Sequence, residues 1–132
     1  MSYELEINGI YMVNNIIKEK SYQFSLKIVK LYKILIDQQK EYIIGRQILR
    51  SGTSIGANVE EAIGSHSKND FTYKISIAYK EARETNYWIR LLRDSKIIDL
   101  ANSNEILSDS HELVKILSSI QKTLKEKQIH NS

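Results

Sequence analysis

Apolar residues recur along most of this chain at steps of three and four, the period of an amphipathic helix. Phe24, Ile28, Leu31 and Leu35 form one such stripe. Ile48, Gly52, Ile55, Val59 and Ala62 form a second. The third is the longest and runs Phe71, Ile75, Ala78, Ala82, Thr85, Ile89, Leu92 at heptad spacing. A fourth comprises Leu113, Leu117, Ile120 and Leu124. Polar breaks separate them: Lys40-Glu41, then Gly64-Ser65-His66, then the turn from Ser95 to Ala101. Ser67 with Asp70, and Asn102 with Glu105, have the form of helix starts, a hydroxyl or amide cap followed by an acid in the first turn. The pattern predicts helices over about 15–38, 41–63, 68–94 and 103–127. Four long helices on short connections give an all-α, up-down-up-down four-helix bundle spanning one domain, 1–132.

Residues 1–13 break the helical period. Tyr3, Leu5 and Ile7 alternate with Glu4 and Glu6, and Asn8-Gly9 follows. Alternation around Asn-Gly is a hairpin signal. This stretch is expected to be a short β-hairpin or a loose N-terminal arm.

Two helices carry more than one apolar face. Tyr22, Leu26, Val29 and Ile36 make a second set on the first helix, which points to a wide core face or a subunit contact. Tyr73, Ile77, Trp88 and Leu91 do the same on the third, with Glu81 and Glu84 among them. Carboxylates so placed need partners. Arg46 and Arg50 on the second helix are the natural ones, and Glu60 and Glu61 add to the charge pattern. Gly52 and Gly56, which cost about 1 kcal/mol each relative to alanine in a helix, imply close backbone approach. Asn58 flanks that stripe and suits a hydrogen bond that fixes register. Small Ala78 and Ala82 on the third helix would receive a neighbouring helix.

Composition narrows the chemistry. There is no cysteine, so disulfides, thiolate metal sites and cysteine nucleophiles are excluded. No apolar run is long enough to span a membrane, and no secretory signal is evident, which fits a cytoplasmic protein. The Glu-x-x-His pattern of bundle-held metal pairs fails, because Ser108 stands three residues before His111, and His66 and His130 fall in a loop and the tail. No nucleophile elbow surrounds a serine and no Gly-rich loop follows a strand. The reading is therefore of a protein that is not an enzyme and needs no cofactor or metal.

The net charge is +3 and is unevenly spread. Between residues 14 and 40 six lysines face two acids. In the bundle topology the first and fourth helices are neighbours. Lys20, Lys27, Lys30 and Lys33 would then merge with Lys122 and Lys125 into a basic flank suited to a phosphate backbone. The tyrosines of the third helix, Tyr73, Tyr79 and Tyr87, with Trp88, are assigned to core or interface more readily than to base stacking.

The segment Arg46 to Ala62, reading RQILRSGTSIGANVEEA, with SKNDFTYKISIAYKEARETNYWIRLL after it, resembles the bacterial four-helix-bundle proteins first described as 23S rRNA intervening-sequence proteins. Arg50-Ser51, Ser54-Ile55, Ala57-Asn58, Glu60-Glu61-Ala62 and the run from Ala78 to Leu92 carry the resemblance, which covers about residues 18 to 126. It also looks related to the accessory variability protein of diversity-generating retroelements, a basic pentameric barrel that works with a reverse transcriptase and nucleic acid. The resemblance implies a bundle assembling as a homopentamer and offers no catalytic residues. Its signature positions map instead to ion pairs (Arg46, Arg50, Glu60, Glu61, Glu81, Glu84) and to close packing (Gly52, Gly56, Ala57, Asn58, Ala78, Ala82). The expected function is a homo-oligomeric bundle that binds structured RNA or a nucleic-acid-processing partner. The alternatives are a purely structural or protein-interaction assembly and, third, a metal-dependent enzyme of the bundle core.

Overall fold

The computed structural model describes residues 3–130, with side chains from Met12 to Lys127. Four helices follow one another: α1 (Tyr3–Asp37), α2 (Tyr42–Ile63), α3 (Lys68–Asp94) and α4 (Leu100–His130). No strand occurs among the described residues. Each helix packs on its sequence neighbour, and α4 returns to α1 to close the bundle, while the backbones of the diagonal pairs stay apart. This is the up-down-up-down arrangement expected.

The hairpin or arm expected at residues 1–13 is corrected. From Tyr3 onward that stretch is helical and continuous with the rest of α1, and Met1 and Ser2 lie outside the described residues. The physical reason is cooperativity. Extending an existing helix adds a hydrogen bond per residue fixed, whereas an isolated hairpin is marginal in water. At 35 residues α1 exceeds the 22 of α2. Met12, Val13 and Ile16, near its N-terminal end, are exposed.

The caps explain the other boundaries. Glu41 accepts from the backbone N–H groups of Ile43 and Ile44 and starts α2. Ser67 accepts from the Asp70 N–H at 3.0 Å and starts α3 where expected. α4 starts earlier than expected. Asp99, not Asn102, does the capping, and its Oδ1 accepts from the Asn102 N–H at 2.7 Å. Two connections turn through left-handed residues, Lys40 (φ 56°) and Lys96 (φ 63°), positions glycine would occupy without steric cost.

The core is built from the four predicted stripes. Phe24, Ile28, Leu35, Ile48, Ile55, Ile75, Ile89, Leu92, Leu113 and Leu117 are fully buried. Ile98 plugs the α3–α4 turn, and Ile106 and Leu107 extend the α4 stripe toward its N-terminus. Ile120 and Leu124, at the other end of that stripe, are only partly buried.

The α1–α2 seam packs on glycine. A Cβ on Gly52 would lie 2.7–2.9 Å from three side-chain carbons of Ile28. One on Gly56 would lie 3.2 Å from Ser25 Oγ and 3.3 Å from the Ser21 carbonyl oxygen. Gly45 faces Leu35 and Ile36 in the same seam. At the α2–α3 seam, Ala78 and Ala82 are wholly buried, and the Thr85 and Ser51 hydroxyls hydrogen-bond at 2.9 Å. The α1–α4 seam is the loosest of the four.

Candidate nucleic-acid interface

Arg50 is the most heavily bonded cation among the described residues. Its guanidinium meets both oxygens of Glu84 at 2.6 and 2.7 Å and both oxygens of Glu81 at 3.2 and 3.4 Å. Gln47 Oε1 accepts from it as well. The two carboxyls respond in opposite directions. Burial pushes Glu84 upward, but the short Arg50 bonds outweigh it, and the carboxyl lies below its usual range. Burial dominates at Glu81, with the neighbouring Glu84 charge adding to it, and that carboxyl lies above its usual range.

The remaining residues expected to pair are distributed otherwise. Glu61 bonds Lys74 at 2.9 Å, and Glu60 reaches Lys18 at 3.9 Å. Arg46 is exposed and makes no ion pair among the described residues. One helical turn before Arg50, it lies beyond the reach of the Glu81–Glu84 pair. The expected register bond of Asn58 stays within its own helix, where the amide donates to the Ser54 carbonyl at 2.8 Å. Ala57, one residue past Gly56, is rotated off the packed face and is exposed.

The expected lysine flank is divided. Lys20 pairs with Glu112, and Lys27 bonds Asp109 at 2.6 Å and Glu105 at 2.8 Å, all across the α1–α4 seam. The bonds from Asp109, then Glu105, hold the Lys27 ammonium above its usual range. These two lysines are thereby locally neutralised. Lys30 and Lys33 are exposed, make no ion pair among the described residues, and line a groove with Leu31, Ile34, Asn102 and Ile106. Lys122 and Lys125 are also exposed and without an ion pair. They lie about 24 Å or more along α4 from Ile106, at about 1.5 Å per residue. The flank is thus two basic ends around an ion-paired middle.

A third cationic surface was not singled out from the sequence. Lys80, Arg83, Tyr87 and Arg90 follow at steps of three, four and three on α3, on the side that meets α4. They line a groove of about 690 Å³ with Tyr79, His111, Val114 and Gln121. Among the described residues Lys80, Arg83 and Arg90 make no ion pair. Arg83 lies over the Tyr79 ring (5.9 Å) and Arg90 over the Tyr87 ring (6.0 Å). Arg90 Nε donates to Asn86 Oδ1 at 2.9 Å, and the buried Asn86 amide in turn donates to Ser110 Oγ at 2.8 Å. The acid on this wall, Glu84, is held by Arg50. Asp94, on the Arg90 side, is bonded to Arg93 at 2.8 Å. The sequence signal was present: three cations and a tyrosine at helical spacing. Helical spacing alone, however, assigns tyrosines to core or interface more readily than to a cationic groove.

No three histidine, aspartate or glutamate side chains converge in a metal-holding group among the described residues. No helix among them is long and apolar enough to cross a membrane.

Comparison with known proteins fits this architecture. A solved structure from Bacteroides thetaiotaomicron VPI-5482, described as a protein with unknown function from the S23 ribosomal protein family, is 48% identical, with a TM-score of 0.80. The match covers 83% of this chain and 98% of that one. The comparison with curated proteins found no match. The family model described as 23S rRNA-intervening sequence protein matches residues 13–119. With four-fifths of its length matched and the fold shared, the chain belongs to the 23S rRNA-intervening sequence protein family.

Proposed function

We propose that the protein is a non-enzymatic, homo-oligomeric helical bundle that binds RNA through its cationic surface. The observation that carries this reading is the disposition of charge. Lys30, Lys33, Lys80, Arg83, Arg90, Lys122 and Lys125 stand on the surface without ion pairs among the described residues. Glu60, Glu61, Glu81, Glu84, Asp94, Glu105, Asp109 and Glu112 are bonded to cations. Glu19, Asp37, Asp70 and Glu126 are also exposed without an ion pair, but the unpaired lysines and arginines outnumber them, and a surface with such an excess binds phosphate backbones with salt-sensitive affinity.

Self-association multiplies the effect. The exposed apolar set Tyr22, Leu26 and Val29 on α1 supports a subunit contact. A homopentamer, as the family resemblance implies, would carry +15 from five chains of +3. The bound partner is RNA or a nucleic-acid-processing protein that holds it, in a bacterial cytoplasm. The test combines light scattering with fluorescence anisotropy of a labelled RNA hairpin at two salt concentrations. An oligomer that binds at low salt and releases at high salt is expected. A monomer, or no binding at low salt, sinks the reading.

A further inference from the structure

We propose that the α3–α4 groove is the site where unpaired nucleotides of a bound RNA dock, with bases stacked on the Tyr87 ring and the Arg90 guanidinium and phosphates held by Arg83 and Lys80. This rests on the RNA-binding reading above and adds the place and the kind of RNA.

Four observations point to this surface over the lysine ends of the α1–α4 seam. The first is chemical. Each groove holds one carboxylate already paired to a cation, Glu105 with Lys27 and Glu84 with Arg50, but Lys30 and Lys33 have aliphatic neighbours, Leu31, Ile34 and Ile106, whereas the α3–α4 groove sets arginines beside tyrosines. Lysines alone read a backbone, and aromatic rings with guanidinium planes accept the flat face of any base.

The second is preorganisation. Arg90 Nε is committed to Asn86 Oδ1, and Asn86 is fixed by Ser110 inside the bundle. The terminal guanidinium nitrogens make no hydrogen bond among the described residues, so the plane is held while its outer donors stay open. An exposed lysine has no such anchoring and loses side-chain entropy on binding.

The third is spacing. Arg83 and Arg90 lie seven residues apart, about 10 Å along the helix axis. That separation brackets a nucleotide instead of closing on one phosphate. Across the groove His111 and Gln121 from α4 offer hydrogen-bonding edges, and Val114 offers an apolar contact.

The fourth is size. The groove measures about 690 Å³, against about 570 Å³ for the one beside Lys30 and Lys33. A volume of about 690 Å³ is within the usual range for small-ligand sites.

The test uses the full chain and two labelled RNAs, an unstructured oligoadenylate and a blunt hairpin with a short closed loop. Tyr87→Ala should weaken oligoadenylate binding about tenfold and leave its salt slope unchanged, because stacking releases no counterions. Lys80→Gln with Arg83→Gln should weaken it as well and reduce the slope by about 1.4, at about 0.7 per single-strand phosphate contact. Blunt-hairpin binding should change less than threefold with Tyr87→Ala. Thermal melting checks that each variant is folded, and all three side chains are at the surface. Two outcomes overturn the groove assignment and leave RNA binding standing. One is full oligoadenylate affinity in the groove variants with loss in Lys30→Gln/Lys33→Gln. The other is equal displacement of the RNA by poly-glutamate, which would make the groove a general polyanion surface. Failure of the wild type to bind either RNA would remove both readings.

Discussion

Gly52 sits directly under the side chain of Ile28, and a methyl group at Gly52 would come within 2.7 Å of Ile28 Cγ1. Ile28 is fully buried and β-branched, so it cannot swing aside. Gly52→Ala should therefore destabilise by about 1–2 kcal/mol, overpacking of about 1–3 kcal/mol less the helix-propensity gain of about 1 kcal/mol. Ile28→Ala alone should cost about 2–5 kcal/mol through the cavity it leaves. In the Ile28→Ala background the sign reverses. All three obstructing carbons are then gone, and Gly52→Ala should stabilise by about 0.5–1 kcal/mol. Urea unfolding of the four proteins measures the cycle. Additive effects would show that the glycine is not there for Ile28.

The opposite shifts of Glu81 and Glu84 predict opposite pH behaviour for neutral replacements. The Glu84 carboxyl is held below its ordinary range by Arg50, so its stabilisation is complete above the ordinary glutamate value of about 4.5 and is lost as pH falls through the lower folded value. Glu84→Gln should cost up to about 1 kcal/mol at pH 7, given a partly exposed, screened pair, and the cost should vanish in acid. Glu81 is raised by burial and by the Glu84 charge. Its ionised form weakens the fold above the raised value, and that penalty fades as pH falls through it. Glu81→Gln should match or exceed the wild type at pH 7 and lose the advantage below about pH 4. Unfolding midpoints from pH 3 to 7 read both; parallel curves for the two variants would contradict the asymmetry.

Much of this was readable in the chain, and the failures have definite causes. Helical period located all four helices, because each buries a stripe long enough to outvote local irregularity. A close approach at Gly52, and Arg50 paired with Glu81 and Glu84, follow from residue types that make sense only when buried close or paired, whereas Ile28 as the neighbour of Gly52 needs the packed helices. The N-terminal hairpin failed because Asn8-Gly9 reports a local preference, whereas an established helix propagates through one glycine at about 1 kcal/mol. The lysine flank divided because one-dimensional counting sees five lysines on α1 but not the Glu105, Asp109 and Glu112 that α4 brings opposite two of them. The α3–α4 groove stayed hidden for a related reason. Whether a tyrosine stripe faces a core or a cleft depends on how far apart two helices stand, which no single helix encodes.

The two buried polar contacts should differ in cost when a serine is removed. Ser110→Ala leaves the buried Asn86 amide without its recorded partner, which should cost about 1–3 kcal/mol. Ser51→Ala leaves Thr85 still bonded to the Glu81 carbonyl at 2.7 Å, and should cost well under 1 kcal/mol beyond the lost packing. Thermal unfolding separates them. Because Asn86 also fixes Arg90, Ser110→Ala should weaken oligoadenylate binding, and Ser110→Thr should restore it; equal costs for the two serines would argue that Asn86 finds another partner.

The divided lysine flank makes a prediction about salt. Removing Lys20 and Glu112 together deletes a neutral pair, so Lys20→Gln/Glu112→Gln should leave the slope of RNA affinity against salt unchanged. Wherever the bound RNA reaches the unpaired α1 lysines, Lys30→Gln/Lys33→Gln should lower that slope by up to about 1.4. Anisotropy titrations at several salt concentrations provide both numbers. A slope that falls as much in the first variant as in the second would mean that Lys20 contacts phosphate despite its carboxylate.

Self-association should depend on the outer face of α1. Tyr22, Leu26 and Val29 are 56%, 47% and 36% exposed, and they follow at steps of four and three, so they form one strip away from the core. Leu26→Glu adds a charge where an isolated subunit is wet, and should leave its fold intact. In a contact between copies the same carboxylate would be desolvated without a partner, a penalty of several kcal/mol at each interface. Light scattering should then report the 15.3 kDa subunit in place of an assembly. Melting temperature should stop rising with protein concentration, since an assembly is stabilised by mass action and a single subunit is not. Leu100→Glu, more exposed at 65% and at the start of α4, is the control and should leave the mass unchanged. If Leu26→Glu keeps the wild-type oligomeric mass, the copies meet through another face, and the strip on α1 needs a different occupant.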